Sequence, residues 1–494
     1  MCAVNDAVWE SVETIADGVS SGRCTARAVT ERALARSHDV QSRLNCFAEI
    51  ADAQALAAAD RIDAAVAASQ WVGPLAGVPV AIKDSTPAAG LGQRWGSKAY
   101  ANVIAGHDAA VVHRLKAAGA VIIGKTTLSE VAYSSFCDSP LTGVTRNPWN
   151  PARTPGGSSG GSAVAVATGC VTLAEGTDMG GSVRIPASFT GILGMKPSLG
   201  RIPNDDMSNA VDDMVHHGLL ARSTEDLVRG LGVVFGPDQR DPLSLGRPIV
   251  SFDAASKSVT GLRVAVTPDL GFYAVEPYVI DRLHAAAEAL SDAGAILSRG
   301  QPAWNRSMSD AWVRHWHVYL ASCFGDDLER VRGEVDPRLW SLIDRGRDIS
   351  AVELKSGEMM RTQQWRAMAE FWATADILLS PTMSRTAVDV TEDDTRYHRL
   401  TDDGRKHGLD LTSMFNWVPW CPAVSVPAGT APDGLPVGVH VTAPPFRDDL
   451  AVAVAAVIER AMGVPAPPDE LFLTADAGAA VTCSAARTEE GWSG

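Results

Sequence analysis

Nowhere in the 494 residues do two cysteines form a CxxC pair; the eight are scattered singly at positions 2, 24, 46, 137, 170, 323, 421 and 483. That spacing excludes a disulfide framework and a zinc pattern, and reduced thiols in a cytoplasmic protein are the expectation. No stretch approaches 18 uninterrupted apolar residues, so no membrane span is expected. The N-terminus, MCAVNDAVWESVETIADG, carries acidic residues and lacks the apolar core of a signal peptide. A dense Lys/Arg run is missing too. The 43 basic and 58 acidic residues leave a charge of −15, which repels phosphate backbones and makes nucleic acid a poor partner. No internal repeat is present.

What is there is an ordinary globular composition, 46% hydrophobic and 20% charged, in a chain long enough for a large core. Residues 5–69 read as helices: Thr25 caps a run with Ala26, Val29 and Ala33 at helical spacing, and 53–68 is rich in alanine. Short apolar strands are then expected at 78–83, 121–123, 171–174, 264–266 and 377–380, and at 423–426 and 437–441 around the turn residues Asp433-Gly434. Helices are expected near 108–118, 163–168, 277–292 and 448–462. This alternation argues for an α/β layered domain with a largely buried sheet. The Trp-rich segment 300–375 reads as a helical insertion, and 475–494, small and polar, as a disordered tail.

Two familiar expressions match without the context that gives them meaning. Gly119 to Thr126 satisfies GxxxxGK[ST], but the four central residues are Ala, Val, Ile and Ile. They read as a strand and not as an open phosphate loop. Gly157-Ser158-Ser159-Gly160-Gly161 satisfies GxSxG, but the preceding NPWNPARTP holds three prolines and cannot be the central strand a nucleophile elbow follows.

The segment that does carry chemistry is TPGGSSGGSAVAVATG followed by EGTDMGGSVRIPASFTGILGMKPS. Two serine- and glycine-rich turns are separated by one helix and one strand, which can return both to one edge of a sheet. Glycines there let backbone N–H groups approach a substrate. With PLAGVPVAIKD upstream and FNWVPWCPAVSVPAGTAPDGLPVGVHV near the C-terminus, the chain resembles the amidase-signature family of serine hydrolases from about residue 10 to 465, most strongly between 73 and 200. The resemblance implies one large α/β domain (70–474), with a mixed central sheet covered by helices on both faces and an N-terminal helical segment (1–69) packed on it.

It also implies a catalytic triad of Lys83 as base, Ser158 as proton relay after a cis Gly157–Ser158 bond, and Ser182 as nucleophile. The oxyanion hole would be the backbone N–H groups of Met179, Gly180, Gly181 and Ser182; the family commonly has a smaller or branched residue in place of Met179. Ser159, Asp178 and Arg184 are expected to brace this machinery. Substrate walls are expected from Ala132, Tyr133 and Ser134, from Trp312, Trp316 and Cys323 of the insertion, and from Trp417, Trp420 and Cys421. A serine hydroxyl needs a base to become nucleophilic, and a lysine buried away from carboxylates can supply one because burial disfavours the ammonium. The expected activity is hydrolysis of a small-molecule amide, with esters and aryl amides as side substrates and no metal or organic cofactor. The other reading is the glutaminase subunit of a tRNA-dependent amidotransferase. A homodimer is compatible with either.

Overall fold

The computed structural model describes residues 9–207, 209–246 and 258–468. The expected tail at 475–494 lies outside them, as do Cys2 and Cys483. In chain order the strands are β1 (Phe47–Ile50), β2 (Pro79–Lys83), β3 (Val121–Thr126), β4 (Asp138–Ser139), β5 (Gly143–Val144), β6 (Leu173–Asp178) and β7 (Leu193–Lys196). They continue with β8 (His216–Ala221), β9 (Arg263–Val266), β10 (Ile296–Arg299), β11 (Ile377–Pro381), β12 (Ala423–Thr430) and β13 (Pro436–Thr442). All but the small β4–β5 pair join one 11-stranded sheet in the order β1-β3-β2-β6-β8-β7-β12-β13-β11-β9-β10.

The sheet is mixed. Two parallel blocks, β3-β2-β6 and β11-β9-β10, flank an antiparallel centre running from β8 to β13. Successive side chains of a strand point to opposite faces, and every residue of β2, β3, β7, β8, β11 and β13 is buried. Both faces are therefore covered. The helix Asp448–Met462, for example, packs on β12, and Gly160–Ala167 on β2, β3 and β6.

The helical reading of 5–69 holds for Val12–Ser20, Ala26–Leu44 and Asp52–Ala67, but misses β1, which a left-handed Asn45 (φ 53°) turns out of the second helix and onto the sheet edge. The strand expected at 171–174 begins at Leu173 and runs on to Asp178. The phosphate-loop match is resolved as expected: Val121–Thr126 is strand, and the Lys125 ammonium is buried against Thr86 O. Cys46, Cys137, Cys170, Cys323 and Cys421 are free thiols. Among the described residues no helix is long and apolar enough to cross a membrane.

This topology brings the two serine turns together. Strands β2 and β6 are parallel, so Lys83, the last residue of one, and Asp178, the last of the other, reach the same edge. The helix Gly160–Ala167 starts directly after Ser158-Ser159 and carries the chain back to the start of β6. Ligand sites in such sheets form beyond the carboxyl ends of parallel strands. The helix Arg306–Ser322 of the insertion lines the cavity at that edge, and Pro337–Arg347 and Ala351–Phe371 pack against it.

Candidate active site

Lys83 is completely buried, and its Nζ lies 2.6 Å from Ser158 Oγ, 2.9 Å from Thr177 Oγ1 and 3.3 Å from Thr177 O. Among the described residues no carboxylate bonds its ammonium; Asp84, next in sequence, instead accepts the Arg94 N–H. Burial lowers the Lys83 pKa to about 8, against opposing pulls from Glu175, Cys137 and Asp178. At pH 7 about a tenth of such a lysine is neutral, compared with about three in ten thousand at the ordinary value of 10.5.

Ser158 follows a cis peptide bond with Gly157. Ser158 and Ser182 line one cavity. Ser158 is buried and Ser182 half-exposed, so Ser182 is the hydroxyl more open to an entering molecule. Ser159 lies behind both: its N–H donates to Ser182 O (3.0 Å), its hydroxyl to Thr177 O (3.3 Å), and it does not line the cavity.

The turn after β6 is held by a buried ion pair. Arg184 donates from Nε to Asp178 Oδ2 (2.9 Å) and from Nη2 to Asp178 Oδ1 (2.8 Å), both side chains being fully buried. Asp178 also accepts the N–H groups of Gly181 (2.8 Å) and Val183 (3.1 Å). This corrects one expectation. The Gly181 N–H is committed to Asp178, whereas those of Met179, Gly180 and Ser182 take no hydrogen-bond partner among the described residues, and these three residues line the cavity.

Gly181 has φ +127°, and a Cβ there would lie 1.9 Å from Thr412 Oγ1. That threonine's hydroxyl donates to Gly180 O at 2.7 Å, so the turn has no room to relax toward it. Gly181→Ala is expected to cost about 1–3 kcal/mol and to displace the turn. Denaturant unfolding and the rate of Ser182 modification would both register it.

The cavity walls match the sequence reading in part. Ala132, Tyr133, Ser134, Trp312 and Trp316 line it, with Tyr319 completing a face of the helix Arg306–Ser322 at spacings of four and three. Met179 packs against the cluster of Met214, Ala311 and Trp417 and also lines the cavity. Cys323, Trp417, Trp420 and Cys421 do not. Cys323 Sγ contacts Tyr319 O one turn back, and Trp420 packs edge-on against Trp365. Cys421 is sealed in the core, and Trp417 Nε1 points at Met214 Sδ. The short helical turn Ser413–Asn416 sends Asn416 to the site instead, where its amide donates to Asp178 O and Oδ1, both at 3.0 Å. The sequence reading missed Asn416, Thr177, Asp206, Asp394 and Asp410. Only Thr177 carried a signal, since it alternates with Asp178 on the strand beside Lys83.

The Amidase family model matches residues 28–452. An acylamidase of Rhodococcus erythropolis is 34% identical over 91% of this chain and 95% of its own length. One subunit of the glutamyl-tRNA(Gln) amidotransferase of Synechococcus sp. (strain RCC307) is 31% identical over 93% of this chain and 99% of its own. Among solved structures, a bacterial aryl acylamidase of the amidase-signature enzymes superposes with a TM-score of 0.86 at 28% identity, covering 95% of this chain and 98% of that one. The chain belongs to the amidase-signature family and is an amide-hydrolysing enzyme.

Proposed function

We propose that this chain acts alone as an amidase on a small-molecule amide, through an acyl-enzyme on Ser182. The observation that carries the reading is the 2.6 Å contact between the buried Lys83 amine and Ser158, which shares its cavity with Ser182. Neutral Lys83 takes the Ser158 proton as Ser158 takes that of Ser182, and Ser182 Oγ bonds to the carbonyl carbon. The resulting oxyanion is held by the N–H groups of Met179, Gly180 and Ser182; one such donor is worth about 3–4 kcal/mol of barrier. The C–N bond then breaks, and the proton returns through Ser158 to the leaving amine. Water next cleaves the Ser182 ester by the same relay run again. Apart from that water, each step draws only on groups of the chain itself.

Tyr133, Trp312, Trp316 and Tyr319 give the cavity aromatic walls, which suit an apolar or aryl acyl group. The likeness to the amidotransferase component keeps a glutaminase reading in view. Turnover of aryl, linear and cyclic amides by the purified chain, followed by mass spectrometry, separates the two. Hydrolysis of an aryl amide without added subunits supports the proposal, and activity on glutamine alone, only with a partner, overturns it. The rate of acylation should rise with pH to a plateau, with its midpoint near the Lys83 value of about 8, because only the neutral amine accepts a proton. A rate that falls across this range would remove Lys83 as base.

A further inference from the structure

Behind Lys83 runs a chain of buried ionisable groups that the proposed mechanism does not use. Glu175 of β6 is completely buried. Its Oε2 accepts the Lys83 backbone N–H (3.1 Å), and its Oε1 accepts the Thr86 hydroxyl (3.0 Å) and faces His217 Nδ1 (2.8 Å). His217, on the neighbouring strand β8, is buried as well, and its Nε2 lies 3.0 Å from Asp206 Oδ1. Asp206 lines the cavity of Ser158 and Ser182.

With both carboxylates ionised, the donor count makes the middle member an imidazolium. A neutral imidazole has one N–H and one lone pair, so between two carboxylates it would point that lone pair at an anionic oxygen. An imidazolium donates to both. Burial alone would lower the His217 pKa, but Asp206 and Glu175 together raise it to about 10.

Glu175 by itself is a problem for the base. A buried carboxylate next to a lysine favours the ammonium, the form that cannot take a proton from Ser158. Yet Glu175 ties Lys83 and Thr86 to β6. We propose that His217 is a positioning residue that cancels the Glu175 charge, so that Glu175 can anchor the lysine strand without holding Lys83 protonated. The inference rests on Lys83 being the base. The other ionisable groups facing this region are Asp178 and Cys137 toward Lys83, and Lys125 of β3, which senses Asp84, Glu175, Asp206 and Glu49. Asp178 is already matched by Arg184, leaving His217 as the histidine bonded directly to Glu175.

The test uses a fluorophosphonate probe, whose rate of addition to the full-length protein, followed by intact mass, needs no knowledge of the natural substrate. His217→Gln removes the charge and keeps one donor. The rising limb of rate against pH should move up by about one unit, with the high-pH plateau kept and labelling at pH 7 about tenfold slower. Glu175→Gln should move the limb down, and the double variant should return it toward the wild-type position. A His217→Gln protein that is slower by the same factor at every pH, with its limb unmoved, shows a merely structural role and overturns the proposal. If that variant does not fold, an unmoved or raised limb in Glu175→Gln overturns it equally. Lys83→Met separates the two levels of the argument. If it keeps the wild-type limb, the base assignment itself falls and this inference with it. If it loses labelling while the His217→Gln limb stays put, only this inference falls.

Discussion

Replacing Ser182 by alanine is expected to lower amide turnover by about ten-thousandfold or more, the scale on which loss of a covalent nucleophile acts. The unfolding transition should stay in place. The Ser182 hydroxyl takes no hydrogen-bond partner among the described residues, and the group that ties this residue to its surroundings is its carbonyl, which accepts the Ser159 N–H and is unchanged in alanine. Ser158→Ala differs in kind, because it removes an acceptor that Lys83 holds at 2.6 Å. Peptide mapping after fluorophosphonate treatment supplies the positive control: one adduct, on Ser182. Ser159 should remain unmodified, since its hydroxyl donates to Thr177 O and lies outside the cavity. An adduct on Ser158 or Ser159, or wild-type turnover by Ser182→Ala, would reverse the serine roles.

What could be read in advance follows from how local each feature is. Ser158 and Ser182 are separated by one helix and one strand between glycine-marked turns, so their return to one edge was legible before any coordinates, whereas Lys83, 75 residues before Ser158, was placed by the family resemblance. The Trp312–Trp316 face was legible too, because helical spacing puts both on one side. Trp417 and Trp420 were misread because aromatic bulk serves core and cavity alike. Which neighbour faces the site was decided by the turn Ser413–Asn416, which presents Asn416 and buries Trp417. Asp394 reaches the cavity from a single short helical turn (Asp394–Tyr397) and Asp410 from an isolated bridge to Met383, both too short for periodicity to announce direction. Glu175 was hidden by ending its strand too early at 174. Once β6 extends to Asp178, Glu175 and Thr177 share the face that meets Lys83, and β8 brings His217 opposite Thr177.

Arg184→Leu is expected to destabilise the fold by about 3–5 kcal/mol at neutral pH, the cost of leaving one partner of a buried ion pair uncompensated. Arg184 makes five hydrogen bonds: two to Asp178, and one each to Thr412 O (3.2 Å), Asn416 Oδ1 (2.6 Å) and His440 Nε2 (2.9 Å). Burial and the nearby Arg184 charge keep His440 well below its usual pKa, so its ring is neutral and accepts from the guanidinium. Burial alone would raise the Asp178 pKa, but Arg184 and Asn416 hold the carboxyl well below its usual range. In the native protein the Asp178 contribution to stability is therefore complete above the unfolded carboxylate value of about 3.9 and is lost only as pH falls through the depressed folded value. Without Arg184 the sign inverts. A buried, unpaired Asp178 titrates above its unfolded value, so the variant loses stability as pH rises through that unfolded value and recovers part of it on acidification. The deficit relative to wild type should accordingly be smaller at pH 4 than at pH 7 in denaturant unfolding. Arg184→Lys should restore little, because a point-like ammonium cannot span five acceptors arranged for a planar fork. A deficit that does not change with pH would mean that Asp178 is compensated by some group other than Arg184.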